Sequence, residues 1–240
     1  MRREHKPAYL WRLRPRFDDF YARRFLHPQF EAVGEGCSFA NPFFVNVLGS
    51  PITLGKHVHV SAMIDNQVRL AVWPVRPGEG SLHIGDYTVI NPGVRISAGV
   101  RIELGKNVIL ASNVYITDAD WHGRYDRVFS VGGHAAVVIE DNVWLSEGVI
   151  VGRGVTIGKN SIVGAGAIVV HDIPENSIAA GNPARVVRQL DPNERFVSRS
   201  DALGDGTRYY ADMKKLEDEL LAPNTLRDWL RHLISPTRED

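Results

Sequence analysis

The sequence is poor in cysteine, in net charge and in long apolar runs. Its 240 residues contain one cysteine, Cys37, which excludes an intramolecular disulfide and a multi-cysteine zinc cluster, so we interpret it as a packing residue. Lysine plus arginine and aspartate plus glutamate both number 28, so net charge gives no reason to expect binding to nucleic acid or an anionic membrane. No run of about 20 apolar residues occurs, and the basic start lacks the apolar stretch of a signal peptide. We therefore expect a cytoplasmic protein with no transmembrane segment and no nucleic-acid partner.

The sequence does contain a period of six residues. Apolar residues recur in one register with two interruptions, and the residue after each of them is usually small. Three places after nine of these apolar residues stands a glycine or an asparagine, the residues that adopt positive φ at least cost. The apolar positions are Ile84, Ile90, Ile96, Leu104, Leu110, Ile116, Ile139, Leu145, Val151, Ile157, Val163 and Val169.

This period predicts a parallel β-helix. A six-residue unit of one short strand and one turn cannot bury its apolar side chain alone. Three such units that close a triangular coil, stacked on the next coil, bury a continuous apolar column. A β-sandwich would show period two and an amphipathic helix period 3.6, so neither fits the spacing.

The two ends of the chain lack the repeat. Residues 1–32 are rich in aromatic side chains and partly helical in pattern. We expect them to cap the open end of the coil, and the alternative is a surface that anchors the protein to a membrane or a partner. The β-helix is expected over residues 33–190, with loops at 73–81 and 118–137. Residues 191–240 show helical spacing and are predicted to form a C-terminal helical extension.

The longer loop carries a group of reactive and polar side chains. It contains Asp118 and Asp120, followed by the segment Trp121-His122-Gly123-Arg124-Tyr125 and then Arg127. A loop that leaves a solenoid can carry a site without disturbing the core. A histidine there can act as a general base at neutral pH, and a carboxylate such as Asp118 or Asp120 can orient its imidazole.

Together with the repeat, these segments make the chain resemble the hexapeptide-repeat acyltransferases, and it is similar to the sugar O-acetyltransferases of the galactoside and maltose type. The C-terminal segments that carry the resemblance are Asn142-Val143-Trp144, residues 163–167, Asp172-Ile173-Pro174 and residues 180–188. The resemblance implies an all-β, left-handed parallel β-helix solenoid with helical N- and C-terminal extensions, assembled as a homotrimer. It also implies transfer of an acetyl group from acetyl-coenzyme A to a hydroxyl, or less readily an amine, of a small-molecule or saccharide acceptor.

The resemblance further implies roles for individual residues. His122 is the expected general base, and Asn91 is expected to hold the acceptor unless it serves a turn or a side-chain ladder of the coil. The other candidates for acceptor binding are Trp121, Arg124, Tyr125 and Arg127. The candidates for binding coenzyme A are Trp144, Gly164, Ala165, His171, Arg185 and Arg188. This chain has Val170-His171 where the family often has Thr-Lys.

Two alternatives use the same fold. Carbonic anhydrase-like members bind zinc with histidines from neighbouring coils, for which His57, His59, His83 and His122 are the candidates. Because these positions do not repeat with the coil, we expect no metal. A non-catalytic trimeric scaffold is the second alternative, since a fold does not by itself imply an activity.

Overall fold

The repeat folds into three parallel β-sheets in the computed structural model, which describes residues 5–128, 130–204 and 206–236. Sheet A contains β1 (Ala32–Val33), β4 (Ile52–Leu54), β7 (Leu82–Ile84), β10 (Ile102–Leu104), β13 (Val137–Ile139) and β16 (Thr156–Ile157). Sheet B contains β2 (Ser38–Ala40), β5 (His59–Ser61), β8 (Val89–Ile90), β11 (Ile109–Leu110), β14 (Trp144–Leu145), β17 (Ile162–Val163), β19 (Ser177–Ala180) and β20 (Arg185–Gln189). Sheet C contains β3 (Val45–Leu48), β6 (Val68–Val72), β9 (Arg95–Ala98), β12 (Tyr115–Thr117), β15 (Ile150–Val151) and β18 (Ile168–Val169).

From β1 to β18, neighbouring strands within these sheets are three strands apart along the chain, and β17 then pairs with β19. The chain therefore passes from sheet A to B to C and returns to sheet A one coil further on. At the C-terminal end, β20 instead pairs antiparallel with β19. The parallel sheets and their order agree with the predicted parallel β-helix.

The inward side chains of each coil stack directly on those of the next. In sheet A, Leu104 pairs with Ile84 and with Ile139, and Ile139 pairs with Ile157. All the apolar positions of the repeat are at most 1% exposed. Burial of one such side chain contributes about 1.5 to 3 kcal/mol, so the column is a large source of apolar stabilisation in the fold.

Asparagines hold the turns between sheets A and B. Asn142, Asn160 and Asn176 have φ values of 60°, 62° and 53°, a left-handed conformation that asparagine tolerates better than most residues. Nδ2 of Asn142 donates to Oδ1 of Asn160 at 3.0 Å, and Nδ2 of Asn160 donates to Oδ1 of Asn176 at 2.8 Å. This ladder ties successive coils together along one edge.

The turns between sheets form three corners, which we name by the sheets that they join. The A–B corner includes residues 85–88 and 140–143. The B–C corner includes residues 91–94, 111–114 and 164–167. The C–A corner includes the tight turns 99–101 and 152–155 and is where two long loops, residues 73–81 and residues 118–136, leave the coil. We call residues 118–136 the histidine loop.

Helices occupy both ends of the chain, which confirms the predicted helical extensions. They are α1 (Ala8–Trp11), α2 (Leu13–Tyr21), α3 (Arg199–Gly204), α4 (Gly206–Leu221) and α5 (Leu226–Ile234), with a π-helical turn at Ala22–Leu26 and 3-10 turns at His27–Gln29 and Pro42–Phe44. Within the described ranges, none of the helices is both long enough and apolar enough to cross a bilayer.

The chain divides into two compact units. One is Tyr21–Ser198, and the other combines Met1–Phe20 with Arg199–Asp240. In the second unit Arg12 forms an ion pair with Asp218, and the ring of His5 stacks on that of His232 at 4.6 Å. The helices of the two termini therefore pack with each other, whereas the sequence analysis predicted two separate extensions. Residues 21–32 belong to the β-helical unit, where Leu26 and Phe30 join its apolar core.

Cys37 is half-buried against that core, with its Sγ 3.1 Å from the carbonyl oxygen of Gly55. Desolvation by burial raises the pKa of its thiol. The thiolate, which is the reactive form, is thus disfavoured at neutral pH. These contacts suit a packing residue.

Candidate active site

The histidine loop is a hairpin that projects from the C–A corner. The N–H of Asp120 donates to the carbonyl of Gly133 at 2.8 Å, and the N–H of Gly123 donates to the carbonyl of Ser130 at 2.7 Å. An antiparallel bridge also pairs Ala119 with His134. These contacts join an outgoing limb to a returning limb. His122 lies on the outgoing limb, near the tip.

The imidazole of His122 is oriented by a backbone carbonyl. Its Nδ1 lies 2.9 Å from the carbonyl oxygen of Arg127. A carbonyl oxygen can only accept, so Nδ1 carries the proton and donates it. In the neutral imidazole this leaves the lone pair on Nε2, which is the form that a general base requires. The side chain is exposed, so Nε2 is open to an acceptor hydroxyl.

In the structure, Asp118 does not contact His122 but binds the backbone of another coil. Its side chain is 0% exposed, and its carboxylate accepts hydrogen bonds from three backbone N–H groups of the preceding coil. These donors are Gly99 at 2.6 Å, Val100 at 2.8 Å and Arg101 at 2.7 Å. The carboxylate thus fixes the base of the histidine loop to the turn below it.

Asp120 also has another partner. Its Oδ2 accepts a hydrogen bond from Nε of Arg153 at 2.9 Å, and the two side chains form an ion pair. The sequence suggested that Asp118 or Asp120 orients the imidazole, whereas the orienting contact that the structure shows is the carbonyl of Arg127. That carbonyl could not be found from the sequence, because any residue type can supply it.

Of the acceptor-binding candidates in the loop, Trp121 contacts the coil and the others project outward. A β-carbon at Gly99 would lie 3.3 Å from Cη2 of Trp121 and 2.7 Å from Cγ2 of Val75. The loop of residues 73–81 therefore lies next to the base of the histidine loop, and both lie over Gly99. The sequence did not indicate that these two loops are neighbours. At the tip, Tyr125 is 95% exposed, and Arg124 and Arg127 are also exposed.

Asn91 lies at a different corner of the chain. It follows β8 at the B–C corner, whereas His122 follows β12 at the C–A corner. Its Nδ2 donates to the carbonyl of Leu110 at 2.8 Å, which is a contact between successive coils. Within the described part of the chain, its carboxamide oxygen accepts no hydrogen bond. The structure therefore shows the ladder role and leaves one acceptor for a ligand.

Most candidates for binding coenzyme A lie along sheet B. Trp144 stands on the outer surface of this sheet and is 45% exposed, and Gly164 and Ala165 form the adjacent B–C corner. Arg185 and Arg188 are exposed on β20, at the end of the same sheet. These five residues lie on the same side of the triangular β-helix as Asn91.

His171, the sixth candidate, lies apart from that group. It follows β18 and so belongs to the C–A corner, as does the histidine loop. The side chain is exposed. One chain alone therefore does not bring His171 together with Gly164 and Ala165.

The histidines considered for zinc have other contacts. The ring of His57 stacks on Tyr87 with centroids 5.1 Å apart, and Nδ1 of His59 lies 2.8 Å from the hydroxyl of Ser38. Nδ1 of His83 lies 2.8 Å from the hydroxyl of Thr53. Across residues 5–128, 130–204 and 206–236, no three histidine, cysteine, aspartate or glutamate side chains are grouped so that they could hold a metal ion.

An open groove on sheet A contains none of the residues predicted to act in catalysis or to bind acceptor or coenzyme A. His83, Glu103 and Lys106 are among the side chains that line it. Two ion pairs lie along it, since Nζ of Lys106 lies 3.6 Å from Oδ2 of Asp86 and Arg101 pairs with Glu103 at 3.0 Å.

Residues 136–171 match the family described as bacterial transferase hexapeptide (six repeats). Over 169 residues the chain is 31% identical to a galactoside O-acetyltransferase of Lactococcus lactis, a match that covers 70% of this chain and 68% of the relative. Over 55 residues it is 47% identical to a 2,3,4,5-tetrahydropyridine-2,6-dicarboxylate N-acetyltransferase of Alkaliphilus metalliredigens, which is 23% of each chain.

A solved structure shares the fold. The hexapeptide-repeat-containing acetyltransferase of Vibrio cholerae superposes with a TM-score of 0.50 at 23% identity, covering 77% of this chain and 90% of that one. At this identity the likeness concerns the architecture alone.

Proposed function

Because the chain belongs to the hexapeptide-repeat acyltransferase family, we propose that it transfers an acetyl group from acetyl-coenzyme A to a hydroxyl of a small polar or saccharide acceptor. The observation that carries this proposal is the imidazole of His122, whose Nδ1 is held by the carbonyl of Arg127 and whose Nε2 is free to take a proton. The similarity to a galactoside O-acetyltransferase over most of both chains supports the hydroxyl. The left-handed winding of the coil is part of the same proposal.

His122 performs the proton transfers of the reaction. Acetyl-coenzyme A supplies the acetyl group as an activated thioester. Nε2 of His122 removes the proton of the acceptor hydroxyl as its oxygen bonds to the thioester carbonyl carbon, and then gives that proton to the sulfur as the carbon–sulfur bond breaks. While the imidazole is positively charged, its Nδ1–H bond to the carbonyl of Arg127 becomes charge-assisted and therefore stronger. No covalent bond to the enzyme is needed.

The positions of the candidates support a site shared between copies. Asn91, Gly164 and Ala165 lie at the B–C corner of the prism, and His122 lies at the C–A corner. Side chains on two separate corners of one triangular coil cannot converge on one substrate. A ring of copies, in which the B–C corner of one meets the C–A corner of the next, would bring them together. We propose that this ring is a homotrimer.

The outer surfaces of the sheets support this arrangement. In the C-terminal coils, sheets B and C carry apolar columns on their outer surfaces, whereas sheet A carries mainly polar side chains. In the N-terminal coils the same columns continue with polar residues, Ser38 and His59 on sheet B and Asn46, Arg69 and Arg95 on sheet C. On sheet B the column is Val89, Ile109, Trp144, Ile162 and Ile178, on sheet C it includes Tyr115, Ile150 and Ile168, and on sheet A the outward residues are Thr53, His83, Glu103, Val138 and Thr156. Contiguous exposed apolar surface is typical of an interface, so the two sheets that flank the B–C corner are the ones we expect to be covered.

Donor binding tests the proposal without knowledge of the acceptor. We expect acetyl-coenzyme A to bind in calorimetry with a dissociation constant in the micromolar to sub-millimolar range. The double change Arg185→Ala plus Arg188→Ala should weaken binding roughly tenfold or more, because two guanidinium groups suited to phosphate are lost. The matched control is Arg195→Ala, which removes an exposed arginine beyond β20. Absence of binding at millimolar donor would contradict acetyl transfer and favour a scaffold or another acyl donor.

The shared site has a separate test by complementation. We expect His122→Ala and Asn91→Ala to be nearly inactive alone, and their purified mixed trimers to recover about a third of wild-type activity, since each mixed trimer has both residues intact at one of its three sites. The two variants are co-expressed with different affinity tags, and the mixed species is purified through both. Mixed oligomers as inactive as the parents would contradict a site built from two copies, as would an active species with the mass of one chain.

An amine acceptor is the second candidate. The short segment shared with an N-acetyltransferase favours it. An acceptor screen that includes amino sugars and amino acids beside simple sugars separates the two, because transfer to nitrogen yields an amide that resists mild base whereas transfer to oxygen yields an ester that does not.

A further inference from the structure

Arg153 makes contacts that the proposed chemistry has not used. It lies in the C–A corner after β15, one coil beyond β12, where the histidine loop begins. Its Nε donates to Oδ2 of Asp120 on the outgoing limb at 2.9 Å. The arginine thus reaches from the rigid coil to the loop.

The same guanidinium also contacts the returning limb. A β-carbon at Gly133 would lie 2.7 Å from Cζ and Nε of Arg153 and 2.9 Å from its Nη2. The guanidinium therefore occupies the space that a side chain at position 133 would need. Beside it, the N–H of Gly154 donates to the carbonyl of Ala135 at 2.9 Å, so the returning limb rests on the turn that carries Arg153.

These two contacts meet at one level of the hairpin. Asp120 and Gly133 face each other through a backbone hydrogen bond of 2.8 Å, and Arg153 contacts both. His122 follows Asp120 by two residues. A change in the angle between the loop and the coil at Asp120 and Gly133 would therefore move the imidazole of His122.

The exposure of the pair indicates which property it controls. The side chains of Arg153 and Asp120 are 40% and 54% exposed. An ion pair this exposed adds little to global stability, because water and salt screen it. A displacement of about 1 Å at a catalytic group, by contrast, can lower a rate by up to about 100-fold.

We infer that Arg153 is a positioning residue, which sets the place of His122 by holding Asp120 and Gly133 of the histidine loop against the coil. The inference rests on the proposed role of His122 as the base. In this role Arg153 acts through the loop, by its contacts with Asp120 and Gly133.

The test uses Arg153→Gln, Asp120→Asn and the double variant, each in the whole 240-residue chain. We expect each single change to lower kcat by about 10- to 100-fold with an unchanged KM for acetyl-coenzyme A, and the double change to be no worse than either single one. Arg153→Lys should recover part of the rate, because it restores the charge without the planar fork. The matched control is Arg101→Gln, which removes another exposed arginine from an ion pair at the same corner and should leave kcat unchanged.

Trypsin cleavage supplies a readout that does not depend on activity. Arg124 and Arg127 lie at the loop tip, and cleavage after them should become at least several-fold faster in Arg153→Gln and Asp120→Asn but not in Arg101→Gln. If wild-type protein transfers no acetyl group, the proposed function fails while cleavage still decides the role of Arg153. Unchanged cleavage, or losses in kcat that multiply in the double variant, would overturn the inference.

Discussion

Replacing His122 with alanine is expected to lower kcat for acetyl transfer by about 100- to 10,000-fold. The alanine variant cannot take the proton from the acceptor hydroxyl, so attack on the thioester would rely on water as the base. Donor binding should not change, because none of the proposed coenzyme residues lies in the histidine loop: five lie on sheet B and its adjoining corner, and His171 follows β18. Steady-state rates at saturating acetyl-coenzyme A, combined with calorimetry of the donor alone, separate these two effects.

His134 offers a control within the same hairpin. Its Nδ1 also contacts a backbone carbonyl, that of Gly132 at 3.0 Å, and the side chain is half-buried. His134→Ala removes an imidazole of similar setting from the returning limb and should retain most of the activity. Equal losses in both variants would point to damage of the loop as a whole, and full activity in His122→Ala would remove it from the mechanism.

The second large effect concerns stability. Asp118→Ala should lower the free energy of unfolding by about 3 to 5 kcal/mol, because it leaves three backbone N–H groups of residues 99–101 without the carboxylate that they share. Thermal unfolding followed by circular dichroism should show a midpoint lower by roughly 10 °C. The unfolding midpoint of Asp118→Asn should lie between those of the wild type and Asp118→Ala, since the amide keeps one acceptor oxygen.

An aspartate at the loop tip provides the comparison. Asp126 is exposed, and its carboxylate accepts from the N–H of Val128 at 3.0 Å. We expect Asp126→Ala to change the unfolding free energy by less than about 1 kcal/mol. Should Asp118→Ala melt at the wild-type temperature, the buried carboxylate would have no structural role and its assignment to the mechanism would have to be reopened.

The fold could be predicted from the sequence because each coil of a solenoid repeats the same spacing of apolar and turn residues along the chain. A residue such as Leu104 has its neighbours in the coils before and after it, and these neighbours, Ile84 and Ile139, occupy the same place in the repeat. The positive φ of Asn142 and Asn160 was likewise foreseeable, since the left-handed turn recurs at one position of each hexad.

The contacts of the site were harder to predict because they depend on how the loop leaves the coil. Asp118 precedes His122 in a polar loop and suggested a catalytic carboxylate, yet its partners are backbone groups of residues 99–101, which no side chain marks. Arg153 did leave a signal. It stands between Gly152 and Gly154 at the position that Asp118 occupies one coil earlier and Ala98 two coils earlier, and a charge at such a point indicates a partner outside the regular turn.

The C–A corner has a consequence for how relatives of this chain can diverge. Strand β12 and strand β9 pair in register, although β9 is followed by the tight turn 99–101 and β12 by the whole of residues 118–136. The next strands, β10 and β13, still align. Chain length between sheets C and A is therefore decoupled from the register of the core. Insertions, deletions and grafted segments at this corner should be tolerated, so that new acceptor specificities can evolve there while the scaffold stays the same.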